Sequence, residues 1–169
     1  MSNKSNLNIK SINQVGIVVK DVDKTMKRYW TQFGIGPWRV FTLGPGMKDT
    51  TYHGKPCEFS LKVAVTRIGE LAIELLQPLS GPTPLKDFLA EHGEGVQHFG
   101  IFVDNLEQAT AEMSARGYET TMSAKGLGTQ GDGGSAYFDT AADVGTVLEL
   151  IEMPAEMQTP DRVYPEPSE

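Results

Sequence analysis

The sequence predicts an α+β fold of two βαβββ modules facing a shared cleft, and two internal matches predict it. Residues 14–22 read Gln-Val-Gly-Ile-Val-Val-Lys-Asp-Val, and residues 98–106 read His-Phe-Gly-Ile-Phe-Val-Asp-Asn-Leu. Further on, Ala72-Ile73-Glu74-Leu75-Leu76-Gln77-Pro78 is answered by Val147-Leu148-Glu149-Leu150-Ile151-Glu152-Met153-Pro154. Similar openings followed by similar endings in the same order indicate one supersecondary unit used twice.

Each opening strand is followed by a helical pattern. Val22, Met26, Tyr29, Trp30 and Phe33 fall on one helix face in the first half, and Leu106, Ala109, Thr110 and Met113 do so in the second. Asn105 with Gln108 has the form of a capping box, and Gly34 and Gly117 are natural helix stops. Between helix and last strand, each half has room for two more strands. These are expected near Trp38 to Leu43 and Glu58 to Arg67, the latter with Phe59, Leu61, Val63 and Val65 on one face, then near Tyr118 to Ser123 and Ser135 to Asp139. A short helix from Pro84 to Glu91, with Leu85, Phe88 and Leu89 inward and Gly93 after it, is expected to link the halves. The organisation is one domain over residues 1–154, with modules at about 11–80 and 96–154 and the linker at about 81–95. Residues 155–169, rich in proline and acid, should be an extended or frayed tail.

Bulk properties restrict the function. The 169 residues suffice for a real core, and 39% apolar with 22% charged residues is ordinary for a soluble fold. A net charge of -7 and a pI near 5.0 argue against nucleic acid as a partner. A phosphate-bearing substrate would depend on local cations, for which Arg39, Lys48, Lys55, Lys62, Arg67 and Lys125 are the supply. No apolar run reaches the length of a membrane span, and Met1 to Lys10 lacks a secretory hydrophobic stretch, so a cytoplasmic location is expected. Cys57 is the only cysteine, which excludes a disulfide framework and a cysteine-rich zinc site, and it reads as a structural thiol.

Strand alternation puts Ile12, Gln14, Gly16 and Val18 on one side, and likewise Val96, His98, Gly100 and Phe102. Ala72, Glu74 and Leu76 share a side, as do Val147, Glu149 and Ile151. Each strand thus places one polar side chain on an otherwise apolar or small face. An unpaired carboxylate there costs several kcal/mol, and two converging carboxylates repel unless positive charge lies between them. A divalent cation is the economical solution, with Glu74 and Glu149 neutralising it and the Gln14 amide oxygen and His98 imidazole completing four ligands. Such a mixture suits octahedral Co²⁺, Mn²⁺, Ni²⁺, Zn²⁺, Mg²⁺ or Fe²⁺ and leaves open positions for water or a small-molecule substrate. Taken singly, each residue has an ordinary alternative: a solvated strand Glu, a hydrogen-bonded His, a neutral Gln. Trp38, Phe41, Tyr52, Phe102 and Met122 are candidates to shape a pocket, though each reads first as core.

The stretches Ile12 to Ile17, Ile73 to Pro78, Gly93 to Gly100 and Gly145 to Leu150 resemble the vicinal oxygen chelate superfamily, which contains glyoxalase I, methylmalonyl-CoA epimerase, extradiol dioxygenases and bleomycin-resistance proteins. The resemblance runs from Ile12 to Pro154, and Ile73 to Val103 is most similar to methylmalonyl-CoA epimerases. It implies metal ligands at Gln14, Glu74, His98 and Glu149. It also implies a departure, because epimerase relatives usually carry His at the place of Gln14 and often two histidines at Gln97-His98. The Gln, Glu, His, Glu set is instead like glyoxalase I.

The resemblance implies an isomerase or epimerase that moves a proton at carbon next to a carbonyl through an enediolate, on an acyl-CoA thioester or, in a glyoxalase I-like lyase, a glutathione hemithioacetal. Glu149 is the base it implies, with Asp49 or His53 as the second acid or base. A homodimer is also what the resemblance implies. Two other classes stand beside this one: an extradiol-type dioxygenase, which wants two histidines and a carboxylate where only His98 fills a ligand place, and a metal-free ligand-sequestering protein. Gly126-Leu127-Gly128-Thr129-Gln130-Gly131 matches a dinucleotide glycine fingerprint in letters only. A strand-like Ser-Ala-Tyr-Phe follows it rather than a helix, so a lid or hairpin connection is expected there.

Overall fold

A computed structural model describes residues 7 and 9–166. Most of the N-terminal segment read above for a signal, and the last three residues of the tail, lie outside the described residues. The first half runs β1 (Gln14–Val18), α1 (Val22–Phe33), β2 (Trp38–Leu43), β3 (Lys48–Tyr52), β4 (Lys55–Pro56), β5 (Ser60–Ile68) and β6 (Leu71–Ser80). Helix α2 (Pro84–His92) leads to the second half: β7 (Gly95–Phe102), α3 (Leu106–Ala115), β8 (Thr120–Leu127), β9 (Gly133–Phe138), α4 (Ala141–Val144) and β10 (Val147–Glu152). A last strand, β11 (Arg162–Tyr164), lies in the tail. Among the described residues no helix is long and apolar enough to cross a membrane.

Helix starts follow local chemistry. Asp21, Thr83 and Asn105 are extended N-cap residues whose side chains accept the backbone N–H of Lys24, Lys86 and Gln108. At Asn105 this is the first half of the expected capping box, with Oδ1 accepting from Gln108 at 2.8 Å. Gly34 ends α1 at φ 67, a left-handed conformation open to glycine at little cost. In α3 the cap is Arg116, with Gly117 at φ 88 one residue later.

One 11-stranded sheet contains all the strands, in the order β11-β2-β5-β6-β1-β7-β10-β9-β8-β3-β4. The two halves are mirrored in its pairings. β1 runs parallel to β6, β10 runs parallel to β7, and β1 meets β7 antiparallel at the centre. Helices α1 and α3 cover the outer face, each over its own core, while α2 sends Leu85 into the inner one: α1 brings Val22 and Met26 against Trp38, Val40, Ala64 and Leu75, and α3 brings Leu106, Ala109 and Met113 against Ile101, Phe138 and Leu150. The inner face carries a third core that joins both halves, where Val18, Leu61, Val63 and Leu76 pack with Met122, Ala124 and Tyr137.

The structure departs from expectation in three places. Between β2 and β5 lies an additional hairpin, β3 with β4, and β3 pairs with β8 at the far edge of the other half. Its polar Lys-Asp-Thr-Thr pattern carries no apolar alternation, which is why it reads as loop in the sequence. Strict alternation also fails in β7, where Ile17 pairs with Val96 and Gly16 with His98, leaving an irregularity that takes up Gln97. Val96 is therefore 51% exposed, and Ile12, before β1, is 47% exposed, so neither shares the buried face. Finally, the tail is extended but not frayed at residues 161–164. β11 pairs antiparallel with β2, Asp161 N–H donates to Val40 O at 2.8 Å, and Thr42 Oγ1 donates to Asp161 Oδ2 at 2.9 Å. Arg162 and Lys62 both bond Asp23 of α1. The glycine-rich run is the β8–β9 connection, held by the tail through Gly128 N–H to Gln158 Oε1 at 3.1 Å and Thr129 N–H to Glu156 O at 2.9 Å.

Truncating the chain after Pro160 removes β11 and the Asp161 bonds and uncovers the edge of β2. The expected cost is about 1–2 kcal/mol, a fall in Tm of roughly 2–8 °C, measured by thermal unfolding. An unchanged Tm would mean the tail does not dock.

Candidate functional site

Register brings the four sequence-predicted residues together. Within the central strands, Gly16 lies between Glu74 of β6 and His98 of β7, and Gly100 lies between Gln14 of β1 and Glu149 of β10. Each glycine leaves room for the polar side chain beside it. A Cβ at Gly16 would sit 1.9 Å from His98 Cε1, and one at Gly100 would sit 2.9 Å from the Gln14 Cβ. The repeated Gln-x-Gly and His-x-Gly thus have a physical reason: antiparallel pairing sets the glycine of each half against the polar residue of the other.

All four side chains are buried, His98 completely. His98 Nε2 lies 3.2 Å from Glu149 Oε2 and 3.7 Å from Glu74 Oε2, and Gln14 Nε2 donates to Glu74 Oε2 at 2.7 Å. One ligand atom from each of Glu74, His98 and Glu149 falls within 4.8 Å of the others, a group able to hold a metal ion. On the other side of the ring, Nδ1 is 2.7 Å from Gln97 Oε1. A carbonyl oxygen there keeps the proton on Nδ1 and turns the Nε2 lone pair toward the carboxylates. His98 Nε2 and Glu149 Oε2 are close enough for charge attraction, yet neither has a hydrogen-bond partner of acceptable geometry, and both are fully buried. Two buried orphans aimed at one place fit a cation between them.

The titration behaviour carries the same meaning. Burial alone would lower the His98 pKa, but the nearby carboxylates of Glu149 and Glu74 outweigh it and raise it from 6.5 to about 9. Glu74 is raised by burial and by the charge of Glu149, against the lowering effect of His98. Tyr137, missed from sequence, stands beside the cluster with its ring edge-on to His98 at 5.0 Å. Burial and the two carboxylates push its phenol well above 10, so it remains a hydrogen-bond donor. Only the register of β9 on β10, which pairs Tyr137 with Glu149, reveals its place. Gln97 was visible as a neighbour of His98, but its inward turn depends on the β7 irregularity.

The cluster forms the floor of a cavity of about 150 Å³ on the inner face. Gln14, Glu74, Glu149 and Tyr137 line it with Phe41, Phe59, Leu61, Val63, Val65, Phe102 and Met122, while Arg39 and Arg67 stand on one wall. Of the five pocket candidates, Phe41, Phe102 and Met122 are lining residues, whereas Trp38 is buried under α1 and Tyr52 bonds Asp87 of α2 from the hairpin. Asp49 and His53 are not brought to the cavity. Asp49 is 3.9 Å from Lys125 on the surface, and the His53 ring packs on Tyr52. Both sit at positive φ where the hairpin turns away.

A family profile described as glyoxalase/bleomycin resistance protein/dioxygenase superfamily matches residues 13–138. The chain belongs to this superfamily. It is 25% identical over 142 residues to the mitochondrial methylmalonyl-CoA epimerase of Mus musculus, spanning 83% of this chain and 71% of that protein. A solved hypothetical protein from Bacillus halodurans, 25% identical, superposes with a TM-score of 0.59 over 88% of this chain and 98% of its own. Methylmalonyl-CoA epimerase from Mycobacterium tuberculosis, 18% identical, has a TM-score of 0.61 over 90% and 94% of the two chains. The Streptomyces coelicolor methylmalonyl-CoA epimerase in complex with 2-nitronate-propionyl-CoA, also 18% identical, has a TM-score of 0.59 over 88% and 100%. These last two likenesses establish the fold.

Two predictions follow from the cluster. In Gly16→Ala the new methyl cannot coexist with the His98 ring, so affinity for added divalent ion should fall by about 10–100-fold, as for loss of a supporting contact, measured by metal titration. In metal-free protein, His98 with a raised folded pKa contributes stability that is complete below about pH 6.5 and disappears as pH rises through about 9. Glu74, also raised, acts with the same sign from a lower pH. The Tm of stripped protein should therefore drop between pH 6.5 and 9 and flatten in His98→Gln; a flat wild-type profile contradicts the proton-binding cluster.

Proposed function

We propose that the protein is a metal-dependent isomerase or epimerase moving a proton at carbon adjacent to a carbonyl, with Gln14, Glu74, His98 and Glu149 holding one divalent ion. The observation that carries this is the pair of buried orphans, His98 Nε2 and Glu149 Oε2, beside Glu74 at the floor of an apolar cavity. The relatives named methylmalonyl-CoA epimerase support the reaction class.

When bound, a divalent ion supplies positive charge to a substrate oxygen on which negative charge develops. Glu149 is the base in this reading: its carboxylate faces the cavity and takes the α-proton as the C–H electron pair moves toward the carbonyl. Gln97 fixes the His98 tautomer, and Gln14 fixes Glu74, so these two ligands stay aimed while Glu149 moves. The apolar lining excludes water from the carbanionic stage. Tyr137, held protonated, keeps a donor beside Glu149. A glyoxalase I-like lyase is the second reading, favoured by an amide at Gln14 rather than a fourth ionisable ligand. It uses the same proton transfer on a hemithioacetal.

Metal content and NMR-detected α-proton exchange in D₂O, against acyl-CoA thioesters and glutathione hemithioacetals, test both. About one ion per chain is expected. Loss of the ion in Glu74→Ala and His98→Ala, and loss of exchange by at least about 100-fold in Glu149→Gln, are the expected outcomes. Retained exchange in Glu149→Gln removes it as base. Protein that stays metal-free with every divalent ion overturns the assignment.

A further inference from the structure

We infer that the cavity selects a substrate whose reacting end carries a compact apolar group of up to about six carbons, and that Met153 and Met157 of the tail cover that group. The inference deepens the reaction proposed above and rests on it for where the reacting carbon lies.

Above the polar floor the walls are apolar on both sides. Leu61 and Val63 of β5 pack with Met122 and Ala124 of β8, and Phe41 stands across from Val63 in the register of β2 on β5. All five are buried and line the cavity. Away from Gln14, Glu74, Glu149 and Tyr137, the polar lining is Ser135 with Arg39 and Arg67, and both arginines are exposed to water. A charged group drawn between these walls would give up its hydration for hydrocarbon contacts, whereas an apolar group gains by leaving water. A volume of about 150 Å³ in apolar surroundings holds a guest the size of benzene, which sets the limit of about six carbons.

The C-terminal segment joins the two halves across this cavity. After β10, Ala155 N–H donates to Asp132 Oδ2 at 3.0 Å, Thr129 N–H to Glu156 O at 2.9 Å, and Gly128 N–H to Gln158 Oε1 at 3.1 Å, which ties the segment to the β8–β9 connection. It then reaches the first half, where β11 pairs with β2. Between these two anchorages Met157 turns to the cavity, as do Met153 before them and Met47 from the β2–β3 turn. With Met122, four of the chain's seven methionines surround one space. Unbranched thioether chains adapt to apolar groups of unlike shape and offer almost nothing to a charge. Docking of the tail needs only the β11 ladder and the bonds at residues 155–158; inward methionines add nothing to that docking and suit a cover over an apolar guest.

Isothermal titration of the manganese-loaded protein with straight-chain hydroxamates, from acetohydroxamate to octanohydroxamate, tests this, because their paired oxygens suit open metal positions while the chain probes the walls. Affinity should rise about three- to four-fold per CH₂ as far as hexanohydroxamate and then level off. Isocaproic hydroxamate should bind at least about ten-fold more tightly than succinic monohydroxamate, in which a carboxylate replaces the terminal isopropyl group. Met157→Glu should weaken hexanohydroxamate about ten-fold or more and leave acetohydroxamate within about two-fold, with Met157→Leu restoring the difference. Chain-length independence, or tighter binding of the succinic compound, overturns the apolar selection. Unchanged hexanohydroxamate affinity in Met157→Glu overturns the cover. If the protein holds no manganese, titration with toluene followed by methionine-methyl NMR separates the two readings: shifts at Met122 and Met157 keep the apolar cavity and sink the metal assignment, and no shift sinks both.

Discussion

The antiparallel seam between β1 and β7 is the constraint on which the rest of the molecule depends. It makes one sheet of two halves, and its register decides which side chains can meet. Gly16 opposite His98 and Gly100 opposite Gln14 are consequences of that register, as are the flanking positions of Glu74 and Glu149. A slip by one residue at this seam would turn the polar residues of one half away from those of the other. The apolar positions beside the seam, Val18, Leu76 and Val63 among them, oppose such a slip because the inner core would lose its contacts. Stability and site geometry are therefore set by the same pairing.

Burying two carboxylates beside a histidine is unfavourable unless charge is balanced, and the cluster shows how the fold manages it. His98 is held from behind by Gln97, Glu74 from the side by Gln14. What remains unsatisfied points to one place. In the proposed function a divalent ion would compete with the proton for the same electrostatic minimum, so the features that raise the His98 pKa would also favour metal.

Much of this was legible in the sequence because the pattern recurs. The repeat exposed both halves, and the residues that break an apolar face at equivalent positions proved to be neighbours in space. α1, β2 and α2 are where periodicity and punctuation place them. What escaped depended on non-local pairing. The β3–β4 hairpin has polar residues and gains its strand character from β8, and β11 gains its own from β2. Tyr137 is one more aromatic in a strand until β9 is registered on β10. Gln97 turns inward only because β7 is irregular. Asp49 and His53 looked chemically suitable, but no sequence rule shows that a hairpin carries them away from the cavity.

The two outermost strands also bear on solubility. β11 is three residues long, preceded by Pro160 and followed by Pro165, and β4 is the exposed pair Lys55–Pro56. Short strands, a lysine and prolines without an N–H offer an incoming chain almost no ladder to extend. The long apolar strands β5 and β6 lie well inside these margins. The short, proline-bearing margins therefore oppose edge-to-edge growth at both ends of the sheet.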